Sequence, residues 1–329
     1  MKIVIIADGN NQLGMGHIYQ SLSLAELLKI KTGSQVDIFF YTKSEEYVCD
    51  LIRRRGFEVL KFTSDELLFD ALKQKAPNRI IFDKLDVNPE LAKQIKQQLT
   101  AKLIICTNLT SANDYADMTV LADIGSNFKN IRNQDKLSGK IEFFGPKFWL
   151  LRPEFYAYHS MNKVVSQSVE SILLIFGGAD PCNFSSKVVE QLLKIPHNYK
   201  ITLVLGSAFG HKDFLNNLIK NYPTSKSELQ IIENAENIAE LMYNSDLVFA
   251  SPGLSFFEAL IIGTPVICFH QNDLQKEVYA GYFNTFGEED INKISGMLLD
   301  RTFNFSADPS IKNMEIGLGK DEIINEILK

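Results

Sequence analysis

The sequence predicts an α/β protein with two Rossmann-like domains, and three observations lead to this prediction. The chain has 329 residues, and at about 100–200 residues per domain such a length predicts two domains. Apolar runs of strand length alternate with segments of helical spacing, which is typical of a parallel sheet covered by helices on both faces. This alternation begins twice, at residues 3–6 and at residues 171–176, and each beginning is followed by a loop that contains glycines. We expect one domain at residues 1–158 and another at residues 159–329.

The elements of both halves follow from the same pattern. Strands are predicted at residues 3–6, 36–41, 57–62, 79–82, 103–106 and 118–124, and again at 171–176, 201–205, 229–232, 247–250 and 266–269. Helices are predicted at residues 21–30, 45–54, 67–75, 90–99, 185–195, 213–221, 238–243, 255–260, 272–282, 289–299 and 321–328. Residues 108–115, 125–140 and 301–320 are expected to be irregular, and residues 159–170 to form the linker. An aromatic cluster at residues 143–158 is expected to pack as core at the junction.

Composition excludes several classes of partner. The net charge of −6 disfavours binding to nucleic acid or to an anionic membrane surface, because both need a basic field. The four cysteines are widely separated and show no metal-ligand spacing, so we expect reduced core thiols. The chain meets Asp8 too early for a signal peptide, and no apolar run approaches the ~20 residues of a membrane span. The expectation is a cytoplasmic protein without an integral membrane segment.

The first loop of interest lies between the first strand and the first helix, at residues 7–19. Gly14 and Gly16 allow a sharp turn and the close approach of a ligand, and His17 opens the helix. A helix dipole lowers the pKa of a histidine near the helix start, which favours the neutral imidazole that can act as a base. A glycine turn with a capping histidine is the structural alternative. The spacing G-x-G-H differs from the dinucleotide fingerprint G-x-G-x-x-G.

A second loop of interest, Ser-Pro-Gly-Leu-Ser, precedes a helix in the second half. Ser255 can cap this helix and Glu258, three residues later, can complete a capping box, which is a purely structural interpretation. In the functional interpretation, the helix start beside Gly253 offers free N–H groups to a diphosphate, while Glu258 accepts hydrogen bonds from a ribose diol. The loop at residues 7–19 and the Gly177-Gly178 turn each follow the first strand of one half. In the GT-B architecture, where two Rossmann-like domains face each other, these two glycine-bearing loops would lie across a cleft.

The motifs together resemble those of the PseG/SpsG family. These motifs are G-x-G-H at residues 14–17, G-P at 145–146, L-R-P-E-F at 151–155, F-G-G-x-D at 176–180 with Asn183, N-I-x-x-L-M at 237–242, and E-x4-G-x-P at 258–265. That family comprises the UDP-sugar hydrolase of pseudaminic acid biosynthesis and spore coat polysaccharide relatives, and it is distantly similar to MurG. The resemblance implies a GT-B fold, a UDP-sugar ligand, no metal and no cofactor, with His17 as the base that activates water at the anomeric carbon.

The resemblance also implies roles for other residues. Gly253, Leu254 and Ser255 would hold the diphosphate, and Glu258 would bind the ribose. Further candidates are grouped by role: Gly14, Gly16, Gly177 and Gly178 on the substrate and diphosphate side, Ile238, Leu241 and Met242 beside the uracil, and Asp83, Gln271 and Asn272 on the sugar side.

Three departures from the family pattern fall on the sugar side. Leu85 stands where the family usually has a tyrosine, Thr107-Asn108 where an Asp-Asp pair is frequent, and Gln271-Asn272 where the order is usually reversed. The sequence therefore leaves the sugar and the oligomeric state open. Three functions remain: a UDP-sugar hydrolase, a GT-B glycosyltransferase that deprotonates an acceptor alcohol, and a nucleotide-sugar-binding relative without turnover. The junction motif and the short chain favour the hydrolase.

Overall fold

The protein divides into two compact units, each built on one predominantly parallel sheet. The computed structural model describes residues 1–10, 15–122, 129–206, 208–221, 227–279, 285–300 and 314–329. Unit 1 comprises Met1–Pro153 together with Met314–Lys329, and unit 2 comprises Glu154–Asn313. We describe each unit by itself.

Unit 1 contains an eight-stranded sheet in the order β3-β2-β1-β4-β5-β6-β8-β7. Its strands are β1 (Lys2–Ala7), β2 (Asp37–Thr42), β3 (Glu58–Lys61), β4 (Arg79–Asp83), β5 (Lys102–Cys106), β6 (Met118–Leu121), β7 (Ile131–Gln134) and β8 (Ile141–Phe144). All pairs are parallel except β7 with β8. Its helices are α1 (Gly16–Thr32), α2 (Glu46–Arg54), α3 (Asp65–Lys75), α4 (Pro89–Gln98) and, at the C-terminus, α12 (Lys320–Leu328).

The sequence explains why β1 and β4 lie in the middle of this sheet. Their residues are almost all buried, which is the continuous apolar run expected of a strand covered on both faces. Val4 and Ile6 of β1 join Ile80 and Phe82 of β4 in one core cluster with α3 and α4. Because β1 pairs with β4 in parallel, the loops that follow both strands leave the sheet at the same edge.

Unit 2 repeats this architecture with a six-stranded, wholly parallel sheet in the order β11-β10-β9-β12-β13-β14. Its strands are β9 (Ser171–Ile175), β10 (Lys200–Leu205), β11 (Glu228–Glu233), β12 (Leu247–Ala250), β13 (Val266–Phe269) and β14 (Thr285–Phe286). Its helices are α5 (Pro153–His159), α6 (Phe184–Lys194), α7 (Lys212–Lys220), α8 (Ile238–Asn244), α9 (Leu254–Ile262), α10 (Asp273–Tyr279) and α11 (Ile294–Asp300). The strand order reverses between β9 and β12, and ligands of open α/β sheets bind at such a switch point.

All the strands predicted from the sequence have counterparts, but regular structure also forms where none was predicted. Residues 125–140 were expected to be irregular, whereas β7 pairs there with β8 as an antiparallel hairpin. The helix α5 lies within the aromatic cluster, and β14 adds a short edge strand. The hairpin was hard to predict because all four residues of β7 are exposed and carry no apolar alternation.

The boundaries of the units differ from the predicted domains at residues 1–158 and 159–329. The division falls at Pro153, and the last sixteen residues belong to unit 1 rather than to the second domain. Contacts of α12 explain this assignment: Arg79 Nε donates to the carbonyl of Ile327 at 2.7 Å, and Lys102 Nζ donates to that of Glu326 at 2.9 Å. Long-range contacts of this kind leave no signal in the local sequence.

Candidate functional site

The first candidate site lies at the start of α1, at the carboxyl end of β1. Gly16 is the first residue of α1 and His17 the second. A Cβ at Gly16 would meet nothing within 4 Å, so space is open there. Gly14, also predicted to contact the substrate, lies outside the described residues.

His17 forms a pair with a buried aspartate from the neighbouring strand. The side chain of His17 is 18% exposed, and its Nδ1 lies 2.8 Å from Oδ1 of Asp83 at the end of β4. Asp83 is only 3% exposed. Because an ionised carboxylate only accepts hydrogen bonds, Nδ1 carries the proton and donates it. The other nitrogen, Nε2, then carries the lone pair of the neutral imidazole.

Two hydroxyl groups complete the surroundings of Asp83. Ser21 Oγ donates to Oδ2 at 3.1 Å, and Thr107 Oγ1 donates to Oδ1 at 3.1 Å. With His17 added, both carboxylate oxygens are in use, and this orients the imidazole. Asp83, which was predicted on the sugar side, therefore orients the imidazole of His17.

The pKa of His17 corrects one expectation. Burial lowers this pKa, but the hydrogen bond to Asp83 and the negative charges of Asp83, Asp8 and Asp86 outweigh it, so that the pKa lies above its ordinary value of 6.5. The predicted lowering by the helix dipole was wrong, because a buried carboxylate in contact with the ring stabilises the imidazolium more strongly. A histidine with a raised pKa is a stronger base, and its protonated form is more stable once it has taken up a proton.

An ion pair lies beside the His17–Asp83 pair at the same edge of the sheet. Lys84 Nζ lies 2.7 Å from Oδ2 of Asp8, and the two side chains are 15% and 14% exposed. Asp8 Oδ1 also accepts from Thr42 Oγ1 and from the backbone N–H of Lys43. The negative charge of Asp8 is one of those that raise the pKa of His17, and the ion pair holds this carboxylate in place.

The second candidate site lies at the start of α9 in unit 2. Gly253 is the N-cap residue with φ 140° and ψ −156°, a backbone region that glycine alone adopts readily. The N-cap residue, being glycine, has no side chain that could cap the helix, and the first turn contains no acidic residue. Leu254 and Ser255, its first two residues, are partly exposed. The N–H groups and dipole of this end can therefore receive an anion.

The predicted capping box at this helix was wrong. Because Gly253 is the N-cap, Ser255 is the second helical residue and Glu258 the fifth, so neither occupies the position that a capping box requires. Glu258 is 3% exposed within a helix whose residues from Phe256 onward are all buried. A carboxylate is rarely buried unless it is paired, so Glu258 lies in surroundings that suit an ionic or hydrogen-bonded side chain.

The helix that follows the Gly177-Gly178 turn presents a different start. Asn183 is the N-cap of α6, but it has φ 55° and makes no capping hydrogen bond. The carboxylate of Asp180 accepts instead from the N–H groups of Phe184 (2.9 Å) and Ser185 (2.7 Å). A buried carboxylate at this end competes with an anionic ligand.

Backbone geometry explains one glycine of this turn, Gly177, and one glycine of the neighbouring loop, Gly206. Gly177 has φ 85°, and a Cβ on Gly206 of the next loop would lie 2.4 Å from the backbone of Gly178. The two loops therefore approach each other as closely as glycine allows. The positive φ accounts for Gly177, and this packing accounts for Gly206, in both cases without a diphosphate.

The three residues predicted beside the uracil differ in burial. Ile238 is 4% exposed and Met242 is fully buried, whereas Leu241 is partly exposed. All three lie on α8. Leu241 alone of the three offers appreciable surface to a base.

Of the last two predicted sugar-side residues, only one faces solvent. Asn272 is exposed, and its Oδ1 accepts from the N–H of Gln275 at 2.9 Å. Gln271 is partly exposed, and its amide is engaged with Asp180, Ser251 and Cys182. Its side-chain N–H groups are therefore directed into unit 2.

The described residues contain neither a membrane-spanning helix nor a metal-binding cluster. No helix in this part of the chain is long and apolar enough to cross a membrane. The same residues contain no group of three or more His, Cys, Asp or Glu side chains arranged to hold a metal ion.

Some residues of the sites were missed by sequence reasoning. Ser21 and Thr107 bind the carboxylate of Asp83, and Asp180 caps α6. For Asp83, a signal existed, because it ends a buried strand whose carboxyl end can meet that of β1. For Ser21 and Thr107, the sequence offered no signal of the pairing.

Comparisons with known proteins give relatives but no matching family model. No protein-family model matches the chain. An uncharacterized protein of Methanocaldococcus jannaschii is 38% identical over 331 residues, which cover 99% of this chain and 66% of that protein. The spore coat polysaccharide biosynthesis protein SpsG of Bacillus subtilis is 27% identical over 84% of this chain and 79% of its own length. A processive diacylglycerol β-glucosyltransferase of Bacillus pumilus is 23% identical over 54% of this chain and 49% of its own length.

Solved structures establish the fold. MurG of Acinetobacter baumannii superposes with a TM-score of 0.63 at 12% identity, covering 100% of this chain and 99% of its own. UDP-GlcNAc 2-epimerase of Neisseria meningitidis, solved with bound UDP-GlcNAc, superposes with a TM-score of 0.61 at 13% identity, covering 100% and 99%. The chain thus has the GT-B fold with two Rossmann-like domains, its sequence is similar to that of SpsG, and its fold is similar to that of MurG.

Proposed function

We propose that the protein hydrolyses a UDP-linked sugar at its anomeric carbon, without a metal, and releases UDP and the free sugar. In this proposal, His17 is the general base, the start of α9 binds the diphosphate, and Glu258 binds the ribose. Surface-glycan biosynthesis of the nonulosonic-acid type is the proposed context, and an amino or deoxy sugar the proposed substrate, both by resemblance to the PseG branch of the family.

The single observation that carries the proposal is the His17–Asp83 pair. Its hydrogen bond of 2.8 Å fixes the tautomer that leaves the lone pair on Nε2. A base oriented by a buried carboxylate is the arrangement that many enzymes use to deprotonate a nucleophile. A protein that only binds nucleotide sugars has no need for a buried aspartate behind a histidine.

The second part of the proposal concerns UDP. The start of α9 carries no side-chain cap and no acidic residue in its first turn, so it suits a diphosphate in a chain of net charge −6. Glu258, buried one turn later, suits two adjacent hydroxyl groups. SpsG is named for polysaccharide biosynthesis, and the solved epimerase is bound to UDP-GlcNAc. The first name supports a role in polysaccharide biosynthesis, and the second supports a UDP-sugar ligand.

In the proposed reaction, a water oxygen attacks the anomeric carbon from the face opposite UDP. The bond between this carbon and the diphosphate oxygen breaks, and its electron pair leaves with UDP. Nε2 of His17 takes the proton of the attacking water, while Asp83 stabilises the resulting imidazolium. The N–H groups at the start of α9 stabilise the charge that grows on the leaving diphosphate. The configuration at the anomeric carbon inverts.

A glycosyltransferase is the second candidate. The observation that favours it is the similarity to the diacylglycerol β-glucosyltransferase over 54% of this chain. The same base would then deprotonate an acceptor alcohol in place of water.

Turnover in ¹⁸O-labelled water with a panel of UDP-sugars tests the proposal. We expect the label on the sugar C1 hydroxyl and none in UDP. Label in UDP would mean attack at phosphorus and would refute the mechanism. Turnover that begins only when an alcohol is added would select the transferase. Tight UDP binding without turnover under either condition would select a non-catalytic binding protein.

A further inference from the structure

Gln271 connects two loops of unit 2 that are far apart in sequence. It follows β13 and precedes α10. Its side-chain Nε2 donates to Asp180 Oδ1 and to Ser251 Oγ, each at 2.9 Å, and its Oε1 accepts from the N–H of Cys182 at 3.0 Å. Asp180 is 2% exposed and Ser251 8%. A single primary amide therefore bridges the loop before α6 and the loop before α9.

Glutamine is matched to this position by its chemistry. A primary amide has two N–H donors, and the bonds to Asp180 and Ser251 use both. Glutamate at residue 271 would have no N–H to donate and would bring its charge to the carboxylate of Asp180. Asparagine is shorter by one methylene group and could not span the same distances.

A second glutamine extends the connection toward the start of α9. Gln275 Nε2 donates to the carbonyl of Pro252 at 3.1 Å, and its Oε1 accepts from the backbone N–H of Gln271 at 2.7 Å. Together the two amides hold Ser251 and Pro252, the two residues before the N-cap Gly253. They therefore fix the direction in which the first N–H groups of α9 point.

We infer that Gln271 is a positioning residue for the diphosphate-binding end of α9, which it holds to the Asp180 loop through Ser251. This inference rests on the proposed function, since it assumes that α9 receives the diphosphate of UDP. Gln271 acts through the loop and not by contact with the ligand. Its loss should therefore affect the phosphates of a ligand and leave the nucleoside alone.

The test is calorimetry or ligand-observed NMR with UDP and with uridine on the full chain. Gln271→Met keeps the length of the side chain and removes its hydrogen bonds. We expect the Kd for UDP to rise about three- to tenfold, the effect of losing one or two hydrogen bonds, and the Kd for uridine to stay within twofold. Gln230→Met, the same change at an exposed position of β11, is the matched control and should leave both values unchanged.

The outcomes separate the inference from the proposed function. If wild-type protein does not bind UDP, the proposed function and the inference both fail. If wild-type protein binds UDP and Gln271→Met binds it equally well, the inference alone fails. Equal weakening of UDP and uridine would mean a general structural role and would also overturn the inference.

A second variant decides the question should Gln271→Met fail to fold. Ser251→Ala removes one acceptor of the Gln271 amide and nothing larger than a hydroxyl. We expect it to weaken UDP binding about two- to threefold, with the Kd for uridine unchanged. Unchanged UDP binding in Ser251→Ala would contradict the inference. In the double variant, the two effects should not add, because both remove the same hydrogen bond.

Discussion

The starts of α1 and α9 look alike in sequence and differ in chemistry. Each follows a buried parallel strand of its own unit, and each has a glycine at or next to the first helical residue. In α1, the second residue is His17, which is paired with the buried Asp83. In α9, the first turn carries no acidic or basic residue and no side-chain cap.

This difference separates two tasks. The start of α1 has a side chain that can accept a proton, and a carboxylate raises the pKa of this side chain. The start of α9 offers backbone donors, the hydroxyl group of Ser255 and a dipole, which bind charge without exchanging protons. Substitutions at α1 should therefore change rates, and substitutions at α9 should change affinities.

The largest expected effect is that of His17→Asn. Asparagine retains a hydrogen-bonding end but cannot take up a proton, so kcat should fall by about 10²–10⁴, the usual contribution of a positioned general base. The Kd for UDP should not change. Steady-state assays of UDP release and calorimetry measure the two quantities. His197→Asn, at an exposed position of unit 2, is the control. Turnover at the wild-type rate in His17→Asn would remove the base assignment.

Glu258→Gln tests the binding site one turn into α9. Replacing a charged acceptor of two hydroxyl groups by a neutral one should weaken UDP binding by about 1–3 kcal/mol, roughly 5- to 150-fold. The comparison of UDP with 2′,3′-dideoxy-UDP isolates the ribose. If wild-type protein binds the two nucleotides equally, Glu258 does not bind the diol.

Ser255→Asp would give α9 the negative charge that Asp180 gives α6. A carboxylate in the first turn favours the helix but repels a diphosphate, so UDP should bind about 1–2 kcal/mol more weakly, while Tm should stay equal or rise. Ser255→Asn is the neutral control, and it should bind UDP nearly as well as the wild type. An aspartate variant with wild-type affinity would show that the diphosphate binds elsewhere.

Local patterns in the sequence predicted most of the strands and helices, but not β7, α5 or β14. The apolar runs of β1, β4, β9 and β12 are buried on both faces, as their continuous apolar composition predicts. The position of α12 in unit 1 could not be predicted, because it depends on contacts with Arg79 and Lys102 more than 220 residues earlier, at separations of 248 and 224.

The candidate site was only partly predictable for the same reason. His17 and the Gly253 turn stood out as local motifs, but the partner of His17 lies 66 residues away. At the start of α6, the residue type of the N-cap Asn183 suits a capping hydrogen bond, but Asp180 makes it instead, and both residues have positive φ. Residue type shows which hydrogen bonds a side chain can make, whereas the conformation of the backbone determines which side chain is placed to make them.

The smallest expected effect concerns Thr107, which acts on His17 through Asp83. Thr107 has φ 60°, and a β-branched residue held in this region costs about 1–3 kcal/mol. Its hydroxyl donates to Oδ1 of Asp83, the same oxygen that accepts from His17. The strained backbone therefore holds a donor that competes with the imidazole for negative charge.

Thr107→Val keeps the branched shape and removes this donor. Asp83 should then stabilise the imidazolium more strongly, and the pKa of His17, already above 6.5 because Asp83 outweighs burial, should rise further. A base must be neutral to act, so the rate of the wild type should fall as pH drops through this raised pKa, and the fall should begin at higher pH in Thr107→Val. At neutral pH, the variant should be about two- to fivefold slower, the equivalent of one hydrogen bond. Imidazole ¹⁵N NMR measures the pKa without turnover, Thr107→Ser keeps the hydroxyl as the control, and an unchanged or lowered pKa in Thr107→Val would contradict the coupling.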